Sequence, residues 1–204
     1  EALCMAFVES EVVELKAEVV GDICKEVIAF ANTKGGTLYI GVSDDGSVLG
    51  IKNADQVILQ LNNMNRDSIK PDVTMFVGYE RQHIGDKDII AVTIQKGTDR
   101  PYYLGSKGLK PSGVYVRNGT SSDPATDTAI RRMIKETDGD SFESMRSLEQ
   151  NLSFEAAEKQ FKKRNIPFDS AKMQTLGMIS ADGIYSNVAL LLSDQCPSTI
   201  KAAT

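Results

Sequence analysis

Three short clusters in this sequence of 204 residues have the residue types and spacing that chemistry on phosphates requires. The first is Glu9-Ser10-Glu11-Val12-Val13-Glu14-Leu15-Lys16, in which three carboxylates precede a lysine. If its strand pairs with the strand that ends before Asp44, then Glu9, Glu14 and Asp44 converge. Clustered carboxylates bind Mg²⁺ or Mn²⁺ through oxygen, and such metals drive phosphodiester hydrolysis. The alternative is a surface pair of Glu14 and Lys16, with Asp44 serving only a turn.

The second cluster is Ala29-Phe30-Ala31-Asn32-Thr33-Lys34-Gly35-Gly36-Thr37. A glycine pair next to a lysine can approach a phosphate closely. The segment is not a P-loop, because GxxxxGK[ST] is absent and the glycines follow a helix instead of preceding one. A glycine that ends the helix and leads into a strand explains the segment without any ligand.

The third cluster lies between residues 96 and 117, where basic residues alternate with tyrosines. Its net charge is +4, from five cations and Asp99. Basic side chains neutralise phosphates and tyrosine rings stack on unpaired bases, so the pattern predicts a nucleic-acid surface. The alternative is a solvated loop with the tyrosines in the core. The basic residues are Lys96, Arg100, Lys107, Lys110 and Arg117, and the tyrosines are Tyr102, Tyr103 and Tyr115.

Two further cations complete the predicted nucleic-acid surface. Lys34 stands beside the glycine pair, and Arg131 lies on the helix that follows the third cluster. The net charge is −5 overall, but residues 1–80 carry −7 and residues 81–135 carry +5. This asymmetry argues against a uniformly basic coat and favours a local surface for an anionic partner.

The remaining composition excludes several classes of protein. The three cysteines are widely spaced without a CxxC, so neither a disulfide framework nor a zinc knuckle is predicted. His83 is the only histidine, which excludes a two-histidine metal site within one chain. No apolar run is long enough to span a membrane and no signal peptide is visible, so we expect a reducing, cytosolic location.

The elements that must position these clusters alternate between strands and helices. The pattern predicts strands at 12–16, 37–42, 47–51, 73–79, 89–94 and 114–117, and helices from Ile23 to Asn32, after Asn53 or Asp55, and after Thr126 or Asp127. Asp22 is the expected cap of the first helix, and Asp45-Gly46 predicts a hairpin turn. The order β-α-β-β-α-β-β-β-α indicates an α+β domain with a mixed sheet.

A second, smaller region follows a polar linker at 137–141. Helices are expected from Phe154 to Arg164 after a Ser153 cap, from Ser170 to about Met178, and from Val188 to Leu192. We therefore predict one domain over 1–137 and the helical start of a second over 143–204, within a longer protein.

Taken in order, the motifs resemble the Schlafen-type AlbA-like domain over about residues 7–135. The matching pieces are Glu9-Ser10-x-x-x-Glu14-x-Lys16, Phe30-Ala31-Asn32-Thr33-x-Gly35-Gly36, Ile40-Gly41-Val42-x-Asp44-Asp45-Gly46 and Gly113-Val114-Tyr115-Val116-Arg117-x-Gly119-x-Ser121-Ser122. The resemblance implies an Alb-like mixed sheet with flanking helices and nucleic-acid binding. Bacterial members are usually described as transcriptional regulators, often continuing into an ATPase-like and winged-helix region.

The resemblance also implies alternatives. In animal Schlafens a three-carboxylate site cleaves RNA, and Glu9, Glu14 and Asp44 match that trio by position, with Lys16 as its companion. Those proteins use two lobes, so a cleft here would require a homodimer. An older family label implies ATP binding, which no Walker motif supports. We rank a DNA-binding module of a transcriptional regulator first, a nuclease dependent on Mg²⁺ or Mn²⁺ second, and nucleotide binding third.

Overall fold

The computed structural model describes residues 7–139 and 141–197. The chain divides into two compact units, the first ending at Ile130 and the second beginning at Arg131. Helices and strands mix in the first unit, which confirms the predicted α+β class. Its strands are β1 (Val13–Lys16), β2 (Gly36–Ile40), β3 (Ile69–Lys70), β4 (Val77–Ile84), β5 (Lys87–Ile94), β6 (Tyr103–Leu104), β7 (Tyr115–Asn118) and β8 (Ser121–Pro124). Its helices are α1 (Ile23–Asn32) and α2 (Ala54–Ser68), and α3 (Asp127–Asp138) leads into the second unit.

The main sheet has four strands in the order β1-β2-β5-β4. β1 runs parallel to β2 while β5 is antiparallel to both of its neighbours, so the sheet is mixed, as predicted. Two small antiparallel pairs, β3 with β6 and β7 with β8, stand beside it. In the β1–β2 register Glu14 lies beside Leu38 and Lys16 beside Ile40, so all four side chains share one face of the sheet.

That face carries the main hydrophobic core. α1 and α2 pack on it, and Ile28 and Phe30 of α1 and Leu61 of α2 are buried against Leu38 and Ile90. A smaller cluster of Leu15, Val42 and Ile89 forms on the opposite face. Glu14 and Lys16 therefore leave β1 on the side covered by α1.

α1 has the predicted bounds, but its ends are closed differently. Asp22 makes no side-chain cap; its carboxylate instead forms an ion pair with Lys25 at 2.8 Å. At the other end the Gly35 N–H donates to the Phe30 carbonyl at 2.9 Å, with Gly35 at a φ of +78°. This left-handed conformation favours glycine and fits the predicted helix ending.

Two predicted strands differ from the structure. Residues 47–51 form only one bridge, between Val42 and Val48, because the amides of Leu49 and Gly50 both turn back to the Gly41 carbonyl. The strand predicted at 73–79 begins as a 3-10 turn over Thr74–Phe76, because the Asp72 carboxylate accepts the Thr74 N–H at 2.9 Å.

The second unit contains α4 (Glu155–Lys163), α5 (Ser170–Thr175) and α6 (Asn187–Leu192) around buried Phe154, Met178 and Ala189. α5 is shorter than predicted, and α3 extends into the predicted linker as far as Asp138. The N-terminus of α4 is bound by Asp194, whose carboxylate accepts the amides of Glu155 and Ala156 at 2.7 and 3.1 Å. Across the described ranges, every helix is too short or too polar to cross a bilayer.

Candidate functional site

A cluster of four charged side chains lies between β1, α1 and β7. Alternation along β1 puts Glu14 and Lys16 on the face covered by α1, and α1 presents Glu26 to them. The Lys16 ammonium donates a hydrogen bond to Glu14 Oε1. β7 contributes Arg117, whose side chain has no exposed surface. We call Glu14, Lys16, Glu26 and Arg117 the ion cluster.

Arg117 is the centre of the ion cluster. Its Nη1 lies 2.6 Å from Glu14 Oε2, a charge contact outside hydrogen-bond geometry, and donates to Glu26 Oε2 at 3.4 Å. Its Nη2 donates to the carbonyls of Ser10 and Val13 at 3.0 and 3.1 Å. The prediction that Arg117 binds nucleic acid requires an accessible guanidinium. The structure instead buries it against internal carboxylates, so it does not belong to the exposed cations.

Glu26 is a member of the ion cluster that sequence reasoning missed. The Ser122 hydroxyl donates to its carboxylate. Burial raises the pKa of Glu26 above its ordinary value, against the opposing effects of that hydrogen bond and of the cations Lys16 and Arg117. Ser122 belongs to the Ser121-Ser122 pair of the last motif, but nothing local in the sequence connects that pair to Glu26.

The charges of the ion cluster compensate one another. Burial alone would lower the pKa of Lys16, but the hydrogen bond and charge of Glu14, together with the charges of Glu26 and Glu9, raise it. Lys16 therefore stays protonated beside the carboxylates. Two carboxylates and two cations make a group that binds β1, α1 and β7 together.

The described residues do not assemble the predicted three-carboxylate site of Glu9, Glu14 and Asp44. Glu9 Oε1 accepts the Leu15 N–H at 3.4 Å, Glu14 is held in the ion cluster, and Asp44 is exposed on the turn after β2. Within residues 7–139 and 141–197, no three acidic, histidine or cysteine side chains are grouped so as to hold a metal ion. Glu14 instead pairs with Lys16 and Arg117 on the side of β1 that α1 covers.

The other predicted cations fall in different environments. Lys34 is exposed, but its ammonium pairs with Glu11 Oε1 at 2.9 Å. Arg100 is half-buried, and its Nη1 donates to the Asn32 carbonyl at 3.4 Å. Arg131 is exposed at the start of the second unit. Within the first unit, Lys34, Arg100 and Arg117 therefore lie in different environments instead of forming the one exposed surface that was predicted, and the contribution of Arg131 stays a prediction.

The tyrosines of the basic stretch belong to the interior. Tyr102 and Tyr103 are buried, and Tyr115 is half-buried with its hydroxyl donating to the Ser112 carbonyl at 3.1 Å. Asn32 orders this region: its side chain donates to the carbonyls of Tyr102 and Tyr115 and accepts the Tyr102 N–H at 2.7 Å. The alternative that places these tyrosines in the core is therefore the correct one for Tyr102 and Tyr103.

Lys107 and Lys110 lie on the segment 105–113, which we call the lysine loop. Both side chains are exposed on either side of Leu109, which is buried and anchors the loop. No ion pair within the described ranges involves either lysine. The loop contains no acidic residue.

Backbone contacts hold the lysine loop in one shape. The Leu104 N–H donates to the Gly113 carbonyl, the Lys107 N–H donates to the Leu104 carbonyl, and the Lys110 carbonyl accepts from Val114, all between 2.9 and 3.0 Å. A Cβ at Gly113 would lie 2.2 Å from the Gly108 carbonyl oxygen, so only glycine fits where the loop closes.

Lys70 adds a third exposed cation at the base of the lysine loop. It pairs with Tyr103 in the β3–β6 register, and its Cγ would lie 3.4 Å from a Cβ at Gly105. Three exposed lysines that form no ion pair within the described ranges are thus gathered on neighbouring backbone of the first unit, and Lys70 interacts electrostatically with Asp72.

Comparison with known proteins adds a family match and two structural likenesses. A family model described as Schlafen, AlbA_2 matches residues 9–126. The DIP2311 protein from Corynebacterium diphtheriae is similar with a TM-score of 0.48 and 16% identity over 89% of this chain, which spans 35% of that protein. The N-terminal domain of a RecG-related protein from Nitrosomonas europaea gives 0.43 and 25% over 59% of this chain and 87% of that domain. No curated protein is significantly similar.

Proposed function

Because the chain belongs to the Schlafen AlbA_2 family, we propose that its first unit is a nucleic-acid-binding domain that contacts duplex DNA through the lysine loop. The family match over residues 9–126 confirms the resemblance predicted from the ordered motifs, and that resemblance implies nucleic-acid binding. We further propose that the domain serves as the DNA-binding module of a transcriptional regulator.

The observation that carries the proposal is the difference between the paired and the unpaired cations. Arg117 and Lys16 are neutralised by internal carboxylates, and Lys34 by Glu11. Lys107 and Lys110 are exposed, form no ion pair with any residue that the structure describes, and lie on a loop held by backbone hydrogen bonds. A lysine with no internal partner gains most from a phosphate, because it displaces counterions from the nucleic acid without breaking a contact of its own.

The acidic first 80 residues do not oppose this function as strongly as their net charge suggests. Glu14 and Glu26 are held in the ion cluster between Arg117 and Lys16, so they contribute no free negative charge to the surface. The local field at the lysine loop is what a phosphate meets, because exposed charges beyond about 10 Å are screened at ordinary salt.

Duplex DNA is favoured over single strands by the position of the tyrosines. Single-strand binding relies on exposed aromatic rings that stack on successive bases. Tyr102 and Tyr103 are buried, so the lysine loop offers charge without a stacking platform. Charge alone recognises the phosphate backbone, which a duplex presents at high density.

The geometry does not favour the metal-dependent RNA endonuclease as a second function. Such an enzyme requires carboxylate oxygens directed at one metal ion. Here Asp44 is exposed on its turn and Glu14 is held by Arg117 and Lys16.

The test is fluorescence anisotropy of a labelled 20-base-pair duplex titrated with the full chain at several salt concentrations. In the variant K107Q/K110Q the slope of log K against log salt should fall by about 2, since each phosphate contact contributes about 0.9. The control K52Q/K172Q removes the same charge from residues outside the lysine loop and should keep the wild-type slope. Equal slopes for K107Q/K110Q and wild type, with both proteins folded, would refute the proposal.

A further inference from the structure

We infer that the second unit carries its own contact surface for a nucleic-acid backbone, at the C-terminal end of α4. The surface consists of Lys159, Lys162, Lys163 and Arg164, which we call the α4 basic end. The choice of nucleic acid among polyanions rests on the function proposed above for the first unit, but the residues are entirely different.

The α4 basic end concentrates positive charge, and of its four cations Lys159 interacts electrostatically with the Asp194 carboxylate. Four of the six residues from 159 to 164 are basic, and residues 159–168 contain no acidic residue. All four basic side chains are exposed. Within the described parts of the chain, none of them forms an ion pair.

Helical geometry gathers three of these cations on one face. Successive residues of an α-helix are rotated by about 100°, so Lys159, Lys162 and Lys163 fall within an arc of about 100°. Ala157 and Phe161 fall on the opposite side, toward the core of the unit. Phe161 packs against Phe168 with tilted rings whose centroids are 4.8 Å apart.

Both ends of α4 are fixed, so the face has a defined orientation within its unit. Asp194 binds the amides of the first turn, as described above. At the other end Asn165 adopts a φ of 54°, and its N–H and that of Ile166 return to the carbonyls of Lys162 and Phe161 at 3.1 and 3.0 Å. This left-handed closure terminates the helix and holds Arg164 beside the lysines.

Acidic groups accompany the first of these lysines: Glu155 lies one turn before Lys159 on the same face of α4, and the Asp194 carboxylate lies near Lys159. Glu155 and Glu158 occupy its first turn, and the Asp194 carboxylate is engaged by backbone amides and by the Ser153 hydroxyl. The surface is therefore polarised along α4, and the basic end is the part that fits a phosphate.

The apolar side of α4 decides between a nucleic acid and a membrane. A helix that binds at a bilayer surface inserts a free apolar face between the lipids. Ala157 and Phe161 are already packed within the unit's own core, so α4 has no such face to insert. Lysines on a packed helix instead provide point charges for a phosphate backbone.

The experiment uses the full chain, the labelled 20-base-pair duplex and the variant K162Q/K163Q, with K52Q/K172Q as the charge-matched control. Glutamine preserves helix propensity, and unchanged circular dichroism and melting temperature verify the fold. We expect K162Q/K163Q to lower the slope of log K against log salt by about 2, with no change in the control.

The outcomes separate this inference from the proposed function. A wild-type slope for K162Q/K163Q, while K107Q/K110Q lowers it, would overturn the α4 surface and leave the lysine loop standing. The reverse result would support the α4 surface and remove the lysine loop. Absence of duplex binding by the wild-type chain would overturn both. Binding to phosphatidylserine vesicles that depends on Lys162 and Lys163, with unchanged duplex binding, would assign the surface to lipid and also overturn the inference.

Discussion

Replacing Arg117 with methionine tests whether the ion cluster stabilises the first unit. Methionine fills part of the same volume and cannot donate a hydrogen bond. The substitution R117M removes a cation that contacts both Glu14 and Glu26, together with the donor to the carbonyls of Ser10 and Val13. Lys16 still pairs with Glu14, whereas Glu26 loses its ion pair with Arg117 and keeps the Ser122 hydrogen bond and the charge of Lys16.

The expected size of the loss follows from the burial of Arg117. Its side chain has no exposed surface, and those of Glu14 and Glu26 are only 6% and 13% exposed. Removing one partner of a buried ion pair costs about 3–5 kcal/mol, because the remaining charge stays buried without its partner. We expect R117M to lower the free energy of unfolding of the first unit by about 4 kcal/mol at pH 7. R117K should lose less, since lysine keeps the charge but not the planar fork of donors.

Native-state hydrogen exchange is the suitable assay, because the chain has two units and a global transition would mix them. The amide of Leu38, in the β2 strand that pairs with β1, reports opening of the first unit. The control K34Q breaks the exposed pair with Glu11 and should change this free energy by less than about 1 kcal/mol.

A double variant checks the physical cause. R117M/E26Q removes the carboxylate that R117M leaves buried, so it should be more stable than R117M alone. A loss in R117M no larger than in K34Q would refute the account of the ion cluster. Strict additivity of R117M and E26Q would refute it too, because contacting charges are expected to couple by about 0.5–3 kcal/mol.

Three further predictions follow from single residues. Burial raises the pKa of Glu26, so the stability that the protonated Glu26 side chain contributes is present below its pKa in the unfolded chain and is lost as pH rises through its higher pKa in the folded protein. The melting temperature of wild type should therefore exceed that of E26Q by less at pH 7 than at pH 4. A difference that grows over this range would contradict the prediction. Hydrogen bonds from Ser43 and Ser47 lower the pKa of Asp45 to about 2. The variant D45N should therefore be less stable than wild type at pH 7, and this difference should fade as pH falls from 4 toward 2. A difference that stays constant with pH would show no such linkage. The variant N32A removes three hydrogen bonds to buried backbone and should cost about 3 kcal/mol by hydrogen exchange at β2; a cost below about 1 kcal/mol would mean that water replaces the amide.

Local sequence patterns predicted the elements whose stability is itself local. The bounds of α1 follow from its apolar spacing and from the Gly35 ending, β5 lies on a run rich in β-branched residues, and β7 begins with Tyr115 and Val116. Predictions were wrong where a side chain or a turn redirected the backbone. The Asp72 carboxylate starts a 3-10 turn in place of a strand, and Gly41 draws the chain at 49–50 back on itself.

The sequence by itself determined the α+β class, the family motifs and the presence of a basic stretch between residues 96 and 117. Only the tertiary structure decided which of these cations are accessible. Arg117 and Lys110 are seven positions apart in one basic stretch, yet one is buried and the other exposed. The partners that bury Arg117 lie far away in the chain; Glu26 is 91 positions distant and Ser10 is 107. The accessibility of a charged side chain depends on the elements that pack around it. Packing between segments that are distant in the chain leaves no periodic pattern in the local sequence, so it cannot be predicted from that sequence.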